Sequence, residues 1–481
     1  MSDRMDRLQA DFTFETLSRL LLTERDWEQA RRAVDVFRQR PALLQRFLDN
    51  PKTVSIVYHN LIEASTRWPG SVAAEALEQL KAMCDDRIGR RDASFDEMLE
   101  IVVAARRELG IEILLIKGYS VGRFYPAPYE RLTNDVDFMF RTVEDAYVFY
   151  EWMIDQGYTQ HEKEISWFKQ DAAGRVYGQI NLLNVKQRHR LRFDVHYTYY
   201  SIGYSGYLDE DLWQHALPVT VRGVELLVLK PSYALIILFA HLLSHGYVLV
   251  KDVNDVAAIL LNARLDWNEV ASLAARSHLD GIMRHVIQRV AALYDHPTIQ
   301  AQARQALKVL RSARHTRLWR FYRRSRYLRA AVNAIYNYQA ERSRTGKRWH
   351  SLQGAFECLV YYTRSFDLAL RPRTRQERLA LALISTPKLL AGGVTPRTCV
   401  RLYELAAVEG LAEPPRLPVA QHTYGQGRLV YVEDEHVGLI LSNRHAYLPT
   451  IDYILDPRQI EAGRALVRQL VAAREAIREA V

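Results

Sequence analysis

The stretch Asp135-Val136-Asp137-Phe138-Met139-Phe140 opens by alternating acid with apolar residue. On a strand, residues i and i+2 project to the same face. The pattern therefore predicts a strand with both carboxylates on one side and Val136 and Phe138 on the other, in a core. Two like charges a few ångströms apart repel unless a cation neutralises them. Carboxylate oxygens at that spacing suit Mg²⁺ or Mn²⁺, which take a few carboxylates plus substrate phosphates. The plainer alternative is an exposed strand whose acids serve only solubility, and the tripeptide alone favours it.

Three neighbouring features favour the metal reading. Ile111 to Ile116 is a short apolar run that reads as a buried strand, and it stops at Lys117-Gly118. Arg131 stands just before the acids. A third acid, Asp194, lies in the alternating strand Phe193-Asp194-Val195-His196-Tyr197, with His196 on its face. A third carboxylate on a neighbouring strand would complete a two-metal site.

The rest of the chain reads as mainly helical. Residues 1–95 space Leu17, Leu20, Leu21, Trp27, Ala30, Val34 and Phe37 at helical intervals, a helical cap. Residues 96–230 hold the core, with a helix ending at Gly110 and strands at Gln179–Val185, Leu191–Tyr197 and Val219–Leu229. Residues 231–300 are helical from Pro231, a favoured first helical position. Residues 301–395 are helical and basic. Residues 396–481 form an α/β tail, with a hairpin around Glu433–His436 and a closing helix from Pro457. The fold class is α+β: a small mixed sheet with helices, embedded in a mainly helical chain with a small C-terminal β-hairpin region.

A length of 481 residues implies two to four units. Cys84, Cys358 and Cys399 are far apart, so neither a disulfide framework nor a cysteine zinc site is expected, and a reducing cytoplasm is the natural compartment. The N-terminus has no secretory pattern. The most apolar window, Tyr233 to Val250, contains His241 and His245 and reads as a buried helix plus a turn, not a membrane span.

Leu115-Ile116-Lys117-Gly118, Tyr125-Pro126, Arg131 and Asp135-Val136-Asp137-Phe138 together resemble the uncharacterised bacterial nucleotidyltransferase family of the DNA polymerase beta superfamily. Phe193-Asp194-Val195-His196 is similar to that family's D-x-H strand. Ala240 to Gly246 followed by Asp252 to Val256 is similar to its helical H…H-G…D region, and Asp26-Trp27 lies where such proteins often carry D-W. The resemblance spans roughly residues 15 to 300. It implies that Asp135, Asp137 and Asp194 bind Mg²⁺ (or Mn²⁺) and, through it, a nucleoside triphosphate, with Asp194 holding the metal that activates the attacking hydroxyl. It implies that backbone amides at Gly118 approach the phosphates. The reaction implied is in-line attack on the α-phosphorus with release of pyrophosphate, onto an acceptor that the residues do not identify. The broad superfamily usually has Gly-Ser or Gly-Gly where this chain has Lys117-Gly118, so Lys117 is expected to supply charge to a β or γ oxygen, or else to cap a strand end in solvent. Arg131 has the same two readings, a triphosphate contact or a surface ion pair with Asp135.

His241 and His245 share a helix face. Leu242 follows His241, so no HExxH glutamate is present, and the pair reads as packed histidines near the nucleotide, one of them oriented by Asp255. Residues 301–350 carry fourteen Lys and Arg against Glu341 alone, an excess above the whole chain's +9. Arg311, Arg314, Arg317, Arg320, Arg323, Arg326 and Arg329 fall every third residue, so they wind around a helix and make no flat stripe. Three readings stand: a solvated helix whose stems cover Trp319, Phe321, Tyr322 and Tyr327, an acidic partner, or a nucleic acid. Two alternatives to small-molecule, peptide or protein transfer therefore remain, a nucleotidyltransferase acting on RNA and an inactive binding scaffold.

Overall fold

In the computed structural model the described residues are 2–310 except 41, 50–51, 134, 161–165, 171–175, 185–191, 198–211, 246–247 and 278, scattered positions within 331–355, and 400–479 except 408–419, 425–428, 435–436, 444 and 451–456. The strands are β1 (Leu114–Ile116), β2 (Asp135–Phe140), β3 (Tyr158–Gln160), β4 (Trp167–Gln170), β5 (Val176–Asn184), β6 (Arg192–Tyr197), β7 (Ala216–Val221), β8 (Val224–Leu229), β9 (Val400–Ala407), β10 (Ala420–Tyr424), β11 (Leu429–Glu433), β12 (Gly438–Leu441) and β13 (His445–Thr450). The fold is mixed α and β, as expected. The chain forms two units. One contains residues 1–101, 115–136 and 210–324, the other 102–114, 137–209 and 325–481, and the division falls inside β2.

The first unit is built on helices Ser2–Leu17, Glu24–Gln39, Leu43–Leu48 and Val54–Arg67, and on most of the long helix Ala74–Leu109. Leu17, Trp27, Val34, Phe47, Val57 and Leu61 form its N-terminal core. Asp26 accepts from the Thr23 backbone N–H at 2.9 Å, satisfying a donor at the start of its helix, and pairs with buried Arg19 at 3.3 Å. The D-W pair thus has a structural basis here: Asp26 caps and Trp27 packs.

Buried amides tie this end to the later helices of the same unit. Asn60 donates to the carbonyls of Leu17 and Arg19, which lie at and just beyond a helix end, at 2.9 and 2.8 Å. Asn254 donates to Ser18 O at 2.8 Å, and Tyr294 donates to Asn254 while accepting from the Leu20 N–H. Carbonyls left over at a helix terminus are costly when buried, and these side chains satisfy them. Asn60 lies on helix Val54–Arg67 and Asn254 on helix Val250–Asn262, while Tyr294 immediately follows helix Asp280–Leu293. Pro231 begins helix Pro231–His245, as expected, and Leu235, Ile236, Ile237 and Phe239 are buried.

Val219–Leu229 reads in sequence as one strand. It is instead most of a hairpin, β7 and β8, turning at Arg222-Gly223. Both turn residues have positive φ, 49° and 80°, which matches the twist of a two-residue hairpin loop. Arg222 is not a usual residue for that position, and so the turn left no sequence signal.

In the second unit the strand order is β10-β11-β12-β13-β9-β4-β5-β6-β2, with β3 on β5. Sequence reading missed β3, β4, β9, β10 and β13. The C-terminal hairpin is as expected, Val432 opposite Leu439, but it sits in a larger antiparallel set that joins the core through β9 on β4. Helix Pro457–Glu479 packs on these strands with Leu466, Val467 and Leu470 buried. Helix Val143–Asp155 starts at Thr142, whose hydroxyl accepts from the Asp145 N–H at 3.0 Å. Its Phe149 meets Phe138 of β2 at 5.7 Å, and Phe138 stacks on Phe193 of β6 at 5.2 Å. Fully burying each such ring contributes about 1.5–3 kcal/mol. This apolar face fixes the opposite face of β2 and β6, where the acids lie.

The arginines from Arg311 to Arg329, with Trp319, Phe321, Tyr322 and Tyr327, lie outside the described residues, as does the stretch 186–190 between the strands expected at Gln179–Val185 and Leu191–Tyr197. Among the described residues no helix is long and apolar enough to cross a membrane.

Candidate functional site

In the second unit, β2 and β6 are neighbours and bring Asp137, Asp194 and His196 together. One ligand atom from each lies within 4.8 Å of the others. Period-2 geometry dictates the arrangement: Phe138 and Phe193 turn one way into the aromatic core, so Asp137 and Asp194 turn the other. His196 follows Asp194 by two and shares its face. All three are buried, at 5%, 6% and 3% exposure. His196 Nε2 is 3.2 Å from Asp137 Oδ1, and Arg192 Nε is 3.3 Å from Asp194 Oδ1. Opposite on β5, Asn181 pairs with Asp194 and Gln179 with His196, and Gln179 donates to Asn181 at 2.6 Å.

Two carboxylates this close repel by roughly 3–4 kcal/mol at an effective dielectric constant of about 20. The donor set fits a divalent cation. Carboxylate oxygens suit Mg²⁺ or Mn²⁺, and an imidazole nitrogen favours the transition metal. His196 was legible only as a neighbour of Asp194, and the structure places its ring within the cluster itself.

In the first unit, Lys117 follows β1 with φ 51° and ψ −122°, a conformation that L residues rarely adopt. Such strain costs of order 1–3 kcal/mol and gathers at functional sites. Gly118 follows in a tight place. A Cβ there would lie 3.1 Å from Thr133 Oγ1, 3.4 Å from the Asp135 carbonyl oxygen and 3.7 Å from Arg131 Nη1. Thr133 Oγ1 donates to the Asp135 carboxylate at 2.8 Å. Asp135 is therefore braced by the residue that crowds Gly118. It stands two residues before Asp137 on β2 and is not one of the three groups in the tight cluster.

The close partner of Arg131 is Asp255, and the Asp135 charge also acts on the guanidinium. Its Nε and Nη2 donate to the two carboxylate oxygens of Asp255 at 2.7 and 2.9 Å, and Tyr125 donates to the same carboxylate at 2.7 Å. The Asp255 side chain is 1% exposed. Burial alone would raise its carboxyl, but the Arg131 guanidinium, then Lys251 and the Tyr125 hydroxyl, hold it below the usual carboxylate range. Burial pushes the Tyr125 phenol well up. Asp255 thus orients Arg131, where a histidine was expected. His241 is half-buried on helix Pro231–His245, and the His245 side chain lies outside the described residues.

Residues 39–295, over half of the chain, match the family model described as "Uncharacterised nucleotidyltransferase". The chain belongs to that family. Among solved structures it is similar to an antigenic nucleotidyltransferase-like protein from Paracoccidioides brasiliensis, at 14% identity over 44% of this chain and 93% of that one, with a TM-score of 0.28. It is also similar to JHP933 from Helicobacter pylori, at 10% identity over 53% of this chain and 96% of that one, with a TM-score of 0.25. No curated protein matches the chain.

Proposed function

We propose that this chain is a divalent-metal-dependent nucleotidyltransferase that moves a nucleoside monophosphate from a nucleoside triphosphate to a hydroxyl or phosphate of a small molecule, peptide or protein. The observation that carries the reading is the buried Asp137, Asp194 and His196 cluster in a chain of this family. In this reading Asp137 and Asp194 hold Mg²⁺ or Mn²⁺ with Asp135, and His196 adds a nitrogen ligand. A cation held there would neutralise the phosphate charge and lower the pKa of the attacking hydroxyl. Asp194 accepts that hydroxyl's proton. Lys117 and Arg131 donate to phosphate oxygens, and Gly118 lets the chain approach them. Positioning and charge neutralisation then supply most of the acceleration. His241 and His245 are assigned to the nucleotide side of the site.

The test is purified protein with Mg²⁺ or Mn²⁺ and each labelled nucleoside triphosphate, alone and with candidate acceptors. Pyrophosphate release and label transfer are followed, with Asp137→Ala alongside. Turnover of a nucleotide that Asp137→Ala abolishes supports the reading. Silence together with no nucleotide binding by the folded protein overturns it, and leaves the inactive-scaffold alternative.

A further inference from the structure

Arg131 is held in an unusual way for a residue meant to meet a ligand. Asp255 takes the Nε and Nη2 edge of the guanidinium, at 2.7 and 2.9 Å, and Tyr125 locks the carboxylate from another side at 2.7 Å. This is the side-on fork, which fixes the plane of the guanidinium as well as its place. The third nitrogen, Nη1, carries two N–H donors that Asp255 does not use. It lies 3.7 Å from where a Cβ on Gly118 would sit. Thr133 Oγ1, which braces Asp135, lies 3.1 Å from the same point. Lys251 nearby is taken by Asp252 at 2.5 Å, while Asp252 also accepts from the Leu249 N–H at 2.8 Å.

The charges of Arg131 and Asp255 cancel, so the pair offers little long-range attraction to an anion. What it offers is a donor at a fixed place. A lone buried arginine would swing between partners and would cost more to desolvate. We propose that Asp255 and Tyr125 are positioning residues that aim Arg131 Nη1 at the Gly118 turn, where it donates to the triphosphate of the nucleotide. The inference rests on the nucleotidyltransferase reading and deepens it. It assigns discrimination between triphosphate and monophosphate to a carboxylate that touches neither. It also predicts that lysine cannot replace Arg131, because an ammonium has no second edge with which to be held.

The experiment is calorimetric titration of a nucleoside triphosphate and of its monophosphate, with melting curves of every variant. The proteins are wild type, Arg131→Gln, Arg131→Lys, Asp255→Asn, Tyr125→Phe and the Arg131→Gln/Asp255→Asn pair. Arg131→Gln, Arg131→Lys and Asp255→Asn should each lose about 10- to 100-fold in triphosphate affinity and leave monophosphate affinity within about twofold, the size seen when supporting partners are removed. Tyr125→Phe should lose less, about two- to fivefold, with its melting point close to wild type. The double variant should bind no more weakly than Arg131→Gln alone, because Asp255 acts only through Arg131. A folded Asp255→Asn or Tyr125→Phe protein that binds triphosphate as wild type does overturns the inference. So does a double variant whose losses add in full. Failure of wild type to bind any triphosphate instead sinks the nucleotidyltransferase reading, and this inference falls with it.

Discussion

Both carboxylate oxygens of Asp255 are gripped by the guanidinium of Arg131, in a pair whose acid is 1% exposed. Removing one member of a buried ion pair strands the other charge. Asp255→Ala should therefore destabilise the protein by about 3–5 kcal/mol. Asp255→Asn, which keeps the shape and an acceptor, should cost less. Chemical denaturation of the two variants beside wild type checks the order.

The same pair sets an acid limit. The Asp255 carboxyl titrates below its ordinary value in the folded protein. Its stabilising contribution is then complete above the unfolded value, about 3.9, and is lost as pH falls through the lower folded value. At the other extreme, burial raises the phenols of Tyr125, Tyr294 and Tyr129, the last to about 12. Their contribution is present below about pH 10 and is lost as pH rises beyond it, with Tyr129 alone supplying about 2–3 kcal/mol. A stability profile should fall at both ends, and Asp255→Asn should flatten the acid arm and also soften the alkaline arm, because the Asp255 carboxylate helps to raise the Tyr125 phenol.

Gly118 has little room for a side chain. In Gly118→Ala the new methyl group lies 3.1 Å from Thr133 Oγ1, which must give by a few tenths of an ångström, and touches the backbone oxygen of Asp135 at 3.4 Å. Overpacking of this kind costs about 1–3 kcal/mol. Because Thr133 also holds the Asp135 carboxylate, nucleotide affinity should drop further than stability does. Titration and melting of the same sample separate the two effects.

Lys117 carries backbone strain that glycine would not feel. Lys117→Gly should leave stability unchanged or raise it by up to about 2 kcal/mol, since relief of 1–3 kcal/mol outweighs the 0.5–1 kcal/mol entropy cost of glycine. Nucleotide affinity should fall in the same variant. Lys117→Ala keeps the strain and should gain nothing. Melting curves decide between them.

The site was legible where period 2 alone decides it. Asp135, Asp137, Asp194 and His196 could be placed on common faces because strand geometry leaves no other choice. The partner of Arg131 was not legible, since Asp255 is 124 residues away and only tertiary packing chooses it. The turn at Arg222-Gly223 and the pairing of β9 with β4 were hidden for related reasons: one uses an atypical turn residue, and the other joins residues far apart in the chain. Helices with strong apolar spacing, such as Glu24–Gln39, were read directly.

The central claim is that Asp137, Asp194 and His196 form a divalent-metal centre. The most direct test is titration of Mn²⁺ into the protein, followed by loss of the free-ion electron paramagnetic resonance signal, with a nucleoside triphosphate present and absent. Wild type should show saturable binding. Asp137→Asn and Asp194→Asn should lose it by tenfold or more while remaining folded. His196→Gln should weaken Mn²⁺ about 10- to 100-fold, and more than it weakens Mg²⁺ measured by competition. Equal Mn²⁺ affinity in wild type and Asp194→Asn, or no binding in wild type even with triphosphate present, would contradict the account.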